Sequence, residues 1–128
     1  MTNTDIVVRL VLSLIASALI GIQREKTKHP AGLRTHMLVC VGSTIITLTS
    51  ANMFPEDPAR VAAGIVTGIG FLGAGTIFRD KNNVRGLTTA ASIWAVAGVG
   101  LALGAGALFI AAVGTIAMFI TLELGRVF

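Results

Sequence analysis

Charge along this chain is confined to short islands between long apolar stretches. From Gly86 to Leu122, 37 consecutive residues contain no Asp, Glu, Lys or Arg, and Val61 to Phe78 is a second such run. A soluble helix of that length carries a polar face at helical spacing, and these stretches have none. About 20 apolar residues cross the hydrocarbon of a bilayer, with roughly 17 as the lower bound. Five segments meet or approach that length and predict transmembrane helices: residues 6–22, 36–54, 61–78, 87–104 and, one residue short of it, 107–122. The pattern is that of an all-α, polytopic transmembrane bundle of five helices, with residues 1–128 as a single transmembrane domain.

The connections between these segments carry turn chemistry. His29-Pro30-Ala31-Gly32 breaks the first one, because the residue before a proline is pushed out of helical conformation. Asp57-Pro58 reads as a helix start, with Asp57 as N-cap and Pro58 at the first helical position. Asp80-Lys81-Asn82-Asn83 and Gly86 predict a short polar turn, and Gly104-Ala105-Gly106 divides the longest uncharged run into a helical hairpin. The apolar stretch after Arg9 passes the small residues Ala16-Ser17-Ala18 without a break, so it is expected to remain as a first helix rather than be cleaved as a signal peptide.

Composition agrees with a lipid environment: 54% of residues are hydrophobic and 12% charged, against about 25% charged in an average soluble domain. The net charge of +4 does not point to nucleic acid, since the basic residues sit in short loops rather than on one folded surface. Eight of the ten Lys and Arg fall in alternate connections: Arg24, Lys26, Lys28 and Arg34, then Arg79, Lys81 and Arg85, then Arg126. Positive loops are retained in the cytoplasm. Five crossings therefore predict an outside N-terminus and a cytoplasmic C-terminus. The single cysteine, Cys40, lies in an apolar run and has no partner for an intramolecular disulfide.

Two groups of residues are candidates for function. Gly64, Gly68 and Gly75 fall on one face of the third segment, and Gly70 and Gly73 on an adjacent one. Small residues let helix backbones approach closely in lipid, so this face predicts tight packing or, alternatively, a flexible or ion-lining surface. Gly98, Gly100, Ala102 and Gly104 repeat the pattern on the fourth segment and suggest that it neighbours the third. The second group is polar. Arg24, Glu25, Arg34, Thr35, His36, Arg79, Asp80, Arg85, Thr88 and Thr89 all lie at the cytoplasmic ends of the helices, where they either anchor the interface one by one or converge as a cluster. Arg9, at membrane depth near the other end, either snorkels to the headgroups or pairs inside the protein.

Neither group carries catalytic spacing. Gly68-Ile69-Gly70-Phe71-Leu72-Gly73 matches GxGxxG by letter, but no strand precedes it and it sits mid-membrane. Glu25 and Asp80 are the only acids on the expected cytoplasmic side apart from Glu123; a magnesium site wants one or two carboxylates with retained waters, which leaves the question of a metal open. No cofactor motif is present, and no enzyme activity is expected.

Three blocks taken in order resemble the MgtC/SapB family of bacterial inner-membrane proteins: Ile20-Gly21-Ile22-Gln23-Arg24-Glu25 followed by Pro30-Ala31-Gly32-Leu33-Arg34-Thr35-His36; Gly68-Ile69-Gly70-Phe71-Leu72-Gly73-Ala74-Gly75; and Val84-Arg85-Gly86-Leu87-Thr88-Thr89-Ala90-Ala91-Ser92-Ile93-Trp94. Gln23 departs from the resemblance, standing where the family usually has an acid. Ending at Phe128, the chain resembles the short, membrane-only branch. The resemblance implies a role in adaptation to low magnesium, with contact to other membrane proteins. Two functions follow. One is a non-enzymatic regulator that works by helix contact with another membrane protein or with its own copies as a homo-oligomer. The alternative is a small oligomeric transporter or channel for a divalent cation, with Glu25, Asp80 and Thr88-Thr89 along its path.

Overall fold

The computed structural model describes all 128 residues. Five helices follow one another: α1 (Asn3–Lys26), α2 (Leu33–Met53), α3 (Pro58–Ala74), α4 (Leu87–Ala105) and α5 (Leu108–Glu123), closed by a 3-10 turn over Leu124–Arg126. Between α3 and α4 lie two short strands, β1 (Phe78–Asp80) and β2 (Asn83–Arg85). Helices α1, α2 and α4, and α5 taken with its closing 3-10 turn as Leu108–Arg126, are long and apolar enough to cross a membrane, whereas α3, at 17 residues, is shorter. The fold is an all-α bundle of multi-pass type.

Local chemistry sets the boundaries. α1 begins three residues before its apolar run because Thr2 and Asp5 form a capping box: the Asp5 N–H donates to Thr2 Oγ1 and the Thr2 N–H to Asp5 Oδ2, each at 3.2 Å. That arrangement satisfies two amides with no intrahelical partner. It then runs past Ile22 to Lys26, and α2 starts at Leu33, so the break at His29-Pro30 occupies only the residues between them. Asp57 is the N-cap of α3 with Pro58 in its first turn, although the Asp57 side chain makes no capping bond. Gly106, at φ 88°, ends α4 in the left-handed conformation that glycine adopts without strain, and α5 follows directly as the second arm of a helical hairpin. The third segment is shorter than its apolar run. α3 ends at Ala74, and Phe78 instead opens β1, which pairs antiparallel with β2 in the register Phe78↔Arg85, Arg79↔Val84 and Asp80↔Asn83.

The interior reverses the pattern of a soluble bundle. Large apolar side chains point outward, including Val7, Val11, Ile15 and Leu19 on α1 and Phe109, Ile110, Ile116 and Ile120 on α5. Small and hydroxyl residues point in: Ser13, Ser17, Ser43, Thr44, Ser50, Thr89, Ser92 and Thr115 are all buried. Lipid solvates the outer face, while the inner hydroxyls other than Thr89, which accepts from Arg24, bond backbone carbonyls. α4 packs against all four other helices and makes its most extensive contact with α2. That contact is close because Gly100 and Gly104 face α2. A Cβ at Gly100 would collide with the Cys40 carbonyl and the Ser43 side chain, and one at Gly104 would lie 2.6 Å from Thr47 Cβ. The approach lets Ser43 Oγ donate to Ala97 O at 2.6 Å and Thr44 Oγ1 to Gly100 O at 3.1 Å.

The small-residue stripe of α4 therefore serves α2 more than α3. On α3, only Gly73 meets a neighbouring helix, with its Cβ position 3.2 Å from Ala90 O. Gly64, Gly68 and Gly70 have nothing within 4 Å, and Gly75, just past the end of α3, meets only the carbonyls of Leu72 and Phe71.

Candidate functional site

The polar residues at one end of the bundle divide into a pocket and a rim. Arg24, in the last turn of α1, is 2% exposed, and its Nη2 donates to Thr89 Oγ1 in the first turn of α4 at 2.7 Å. Around this contact opens a pocket of about 610 Å³, lined by Arg24, Lys28 and His29 from the end of α1 and its loop, by Arg85 from the end of β2, and by Gly86, Thr88 and Thr89 from the start of α4. Four residues of the polar group thus meet here: Arg24, Arg85, Thr88 and Thr89. Glu25 is exposed and its side chain lies over Gly32, so close that a Cβ at Gly32 would clash with it. Arg34 and Thr35 are exposed on α2, and Arg79 and Asp80 on β1, all away from the pocket lining.

The joint between hairpin and helix shapes the pocket. Gly86, the N-cap of α4, has φ 88° and no side-chain capping bond. A Cβ there would run into the Thr76 carbonyl, so a side chain is excluded by both conformation and space. The first-turn amides of a helix have no intrahelical acceptors, and Gly86, Leu87, Thr88 and Thr89 at the start of α4 all line the pocket. Lys28 is the one non-glycine residue with positive φ, at 58°. His29 joins the loop by donating its N–H to Arg24 O at 3.1 Å and by pairing Nδ1 with Thr27 Oγ1 at 2.7 Å. Burial, reinforced by the nearby Arg24 charge, holds its imidazole below the ordinary value of 6.5, with the hydrogen bond at Arg24 acting the other way.

His36 lies behind the pocket, fully buried. Nδ1 meets Gly32 O at 2.8 Å and Nε2 meets Ser92 Oγ at 2.9 Å. A carbonyl only accepts, so Nδ1 carries a ring proton; Ser92 Oγ also lies 2.9 Å from Thr89 O, and its one hydroxyl proton serves either that carbonyl or Nε2. Gln23, beside Arg24, is buried with an unpartnered Oε1. No group of three or more His, Cys, Asp or Glu side chains is arranged to hold a metal ion. Lys28, His29 and Ser92 enter the site without belonging to the group expected from sequence. For the first two, the signal was the His29-Pro30 turn, which folds back over the end of α1.

The helices, their inverted interior and the Val84–Thr89 joint place the three motif blocks within one bundle. Residues 10–128 match the MgtC family. The chain belongs to that family. Among curated MgtC relatives, "Protein MgtC" of Salmonella typhimurium is 47% identical over 100 residues, covering 78% of this chain and 43% of that protein. The "Putative magnesium transporter YhiD" of Escherichia coli K12 is 38% identical over 130 residues, covering 94% of this chain and 60% of its own length. An uncharacterized protein of Haemophilus influenzae is 37% identical over 127 residues, covering 91% and 53%. The chain spans about half the length of these relatives. No solved structure matches the chain significantly. Membership in the MgtC family agrees with the resemblance carried by the three blocks.

Proposed function

We propose that the chain is a non-enzymatic inner-membrane protein of MgtC type that aids adaptation to low magnesium by contact between its helices and those of another membrane protein or a second copy. The observation that carries this reading is the groove between α2 and α3. Gly42, Gly64 and Gly68 open into it with nothing within 4 Å, and Leu38, Ile46 and Leu72 contribute its apolar walls around a volume of about 410 Å³. In lipid, association depends on close backbone approach rather than on apolar burial, and a glycine-floored groove supplies that approach. The topology that suits it has the basic loops and C-terminus in the cytoplasm. The test is Gly64→Leu with Gly68→Leu, which fills the groove without touching the rest of the bundle. Site-specific cross-links from Leu72 in native membranes and growth under magnesium limitation should both be lost; unchanged cross-links and growth count against the proposal.

The name of the Escherichia coli relative favours a second reading, transport of magnesium. The interior speaks for contact instead. The charged side chains that anchor the two ends of the inner hydroxyl column are Arg24 and Arg9, whose sign repels a divalent cation, and Glu25 and Asp80 lie outside on exposed surface. Liposomes loaded with a magnesium-sensitive dye separate the readings. Contact predicts no flux above that of empty liposomes, whereas flux abolished by Glu25→Gln or Asp80→Asn establishes transport.

A further inference from the structure

Arg24 is the one Asp, Glu, Lys or Arg sealed inside this protein. Its only side-chain partner is the Thr89 hydroxyl, and its Nε is buried without any partner. The single ion pair of the molecule joins Arg126 to Glu123, which line a separate pocket with Gln23 and Lys26, so no carboxylate forms an ion pair with Arg24. A guanidinium stays protonated in a protein, and a buried charge is ordinarily paired. The chain therefore leaves room for a counter-charge from outside.

The pocket beside Arg24 is built to receive it. Lys28, His29 and Arg85 line it, no Asp or Glu does, and the 19-residue α4 opens into it without a side-chain cap. An uncapped helix start presents free N–H groups and a positive dipole end. We propose that this pocket binds a phosphate-bearing anion. In that site Arg24, held in place by Thr89, directs its free N–H at the phosphoryl oxygens. The α4 amides meet them from the opposite wall, and Lys28 and Arg85 add charge at the mouth. Planar, forked donors suit phosphate better than a point charge does. The pocket sits at one end of the bundle, where both a dissolved phosphate and the headgroup of an anionic lipid have access. This site is separate from the α2–α3 groove and stands or falls independently of it.

The experiment uses the full chain purified in neutral maltoside micelles, titrated calorimetrically with inorganic phosphate, and the same chain in phosphatidylcholine nanodiscs with and without phosphatidylglycerol, read by native mass spectrometry for retained lipid. Saturable phosphate binding identifies a soluble ligand; preferential retention of phosphatidylglycerol identifies a headgroup. In either arm Arg24→Lys should weaken binding about tenfold, because the charge persists while the fork is lost. Lys28→Gln and Arg85→Gln should each weaken it roughly threefold. These two residues are exposed, so their variants keep the test decisive even if Arg24→Lys fails to fold. Phosphate indistinguishable from chloride together with no preference for phosphatidylglycerol overturns the proposal. So does binding that is indifferent to Lys28→Gln and Arg85→Gln.

Discussion

Arg9 Nη1 donates to the carbonyl oxygen of Gly104 at 3.0 Å, tying the second turn of α1 to the last turn of α4. The carbonyls at the end of a helix lack intrahelical donors, and a cation there also meets the negative end of the dipole. The side chain extends on toward Gly106, whose Cβ position lies 3.1 Å from Arg9 Nη2. Arg9 thus pairs inside the protein instead of reaching away from it.

Removing that bond has a measurable consequence. Arg9→Met keeps the length and apolar stem of the side chain but leaves Gly104 O without its donor. A hydrogen bond from a charged group contributes about 1.5–3 kcal/mol. Thermal unfolding in micelles should show a loss of about 2 kcal/mol, partly restored by Arg9→Lys. A midpoint unchanged in Arg9→Met would show that the bond adds nothing to stability.

The glycines of α3 and α4 should respond in opposite ways. Gly100→Ala drives a methyl group into the Cys40 carbonyl and Ser43. Overpacking of this kind costs about 1–3 kcal/mol, and the Ser43–Ala97 and Thr44–Gly100 hydrogen bonds must stretch as α2 and α4 separate. Gly68→Ala meets open space and should change stability by no more than about 0.5 kcal/mol. Unfolding measured on monomeric protein would reveal the contrast; equal losses in both would place α3 and α4 differently from the packing described here.

That contrast marks what was legible in the sequence. Charge-free runs identified the helices, because the solvent that excludes charge is lipid and acts on every residue of a span. Turn residues such as Pro30 and Gly106 located the breaks, because their backbone preferences are local. The hairpin of Phe78–Arg85 was hidden, since three-residue strands are too short to show alternation, and only the left-handed Gly86 makes their joint with α4. Gly100 and Gly104 announced close approach but not toward which helix, as small residues carry no information about their partner. The pocket was half visible. Arg24, Arg85, Thr88 and Thr89 were read together because they end adjacent helices, while Arg34, Thr35, Arg79 and Asp80 shared that level and turned outward. Facing is a matter of rotation about each helix, which helix ends alone do not specify.

His36 and Ser92 offer a test by double substitution. His36→Leu removes the side-chain donor to Gly32 O, which keeps the backbone N–H of residue 36, and leaves one face of the buried Ser92 hydroxyl without a partner; an unsatisfied buried group costs about 1–3 kcal/mol. Ser92→Ala alone removes the bond to His36 and the one to Thr89 O. Because the two changes share a single His36–Ser92 bond, the double variant should lose less than the sum of the single losses. Strict additivity in the unfolding free energies would show that the pair is not coupled.

His29 gives the pocket a titration signature. Its folded-state pKa lies below 6.5, first through burial and then through the charge of Arg24, so folding favours the neutral ring. Protons therefore favour the unfolded state: this destabilisation is absent well above pH 6.5, grows as the pH falls through the ordinary value toward the folded one, and is constant below it. The histidine resonance should titrate below 6.5 in micelles, and His29→Gln should flatten the stability profile across that window; a pKa at or above 6.5 contradicts the assignment. A phosphate-bearing anion in the same pocket reverses the sign of the local field. Its addition should raise the His29 pKa, and by linkage its binding should tighten as the pH falls through the same range.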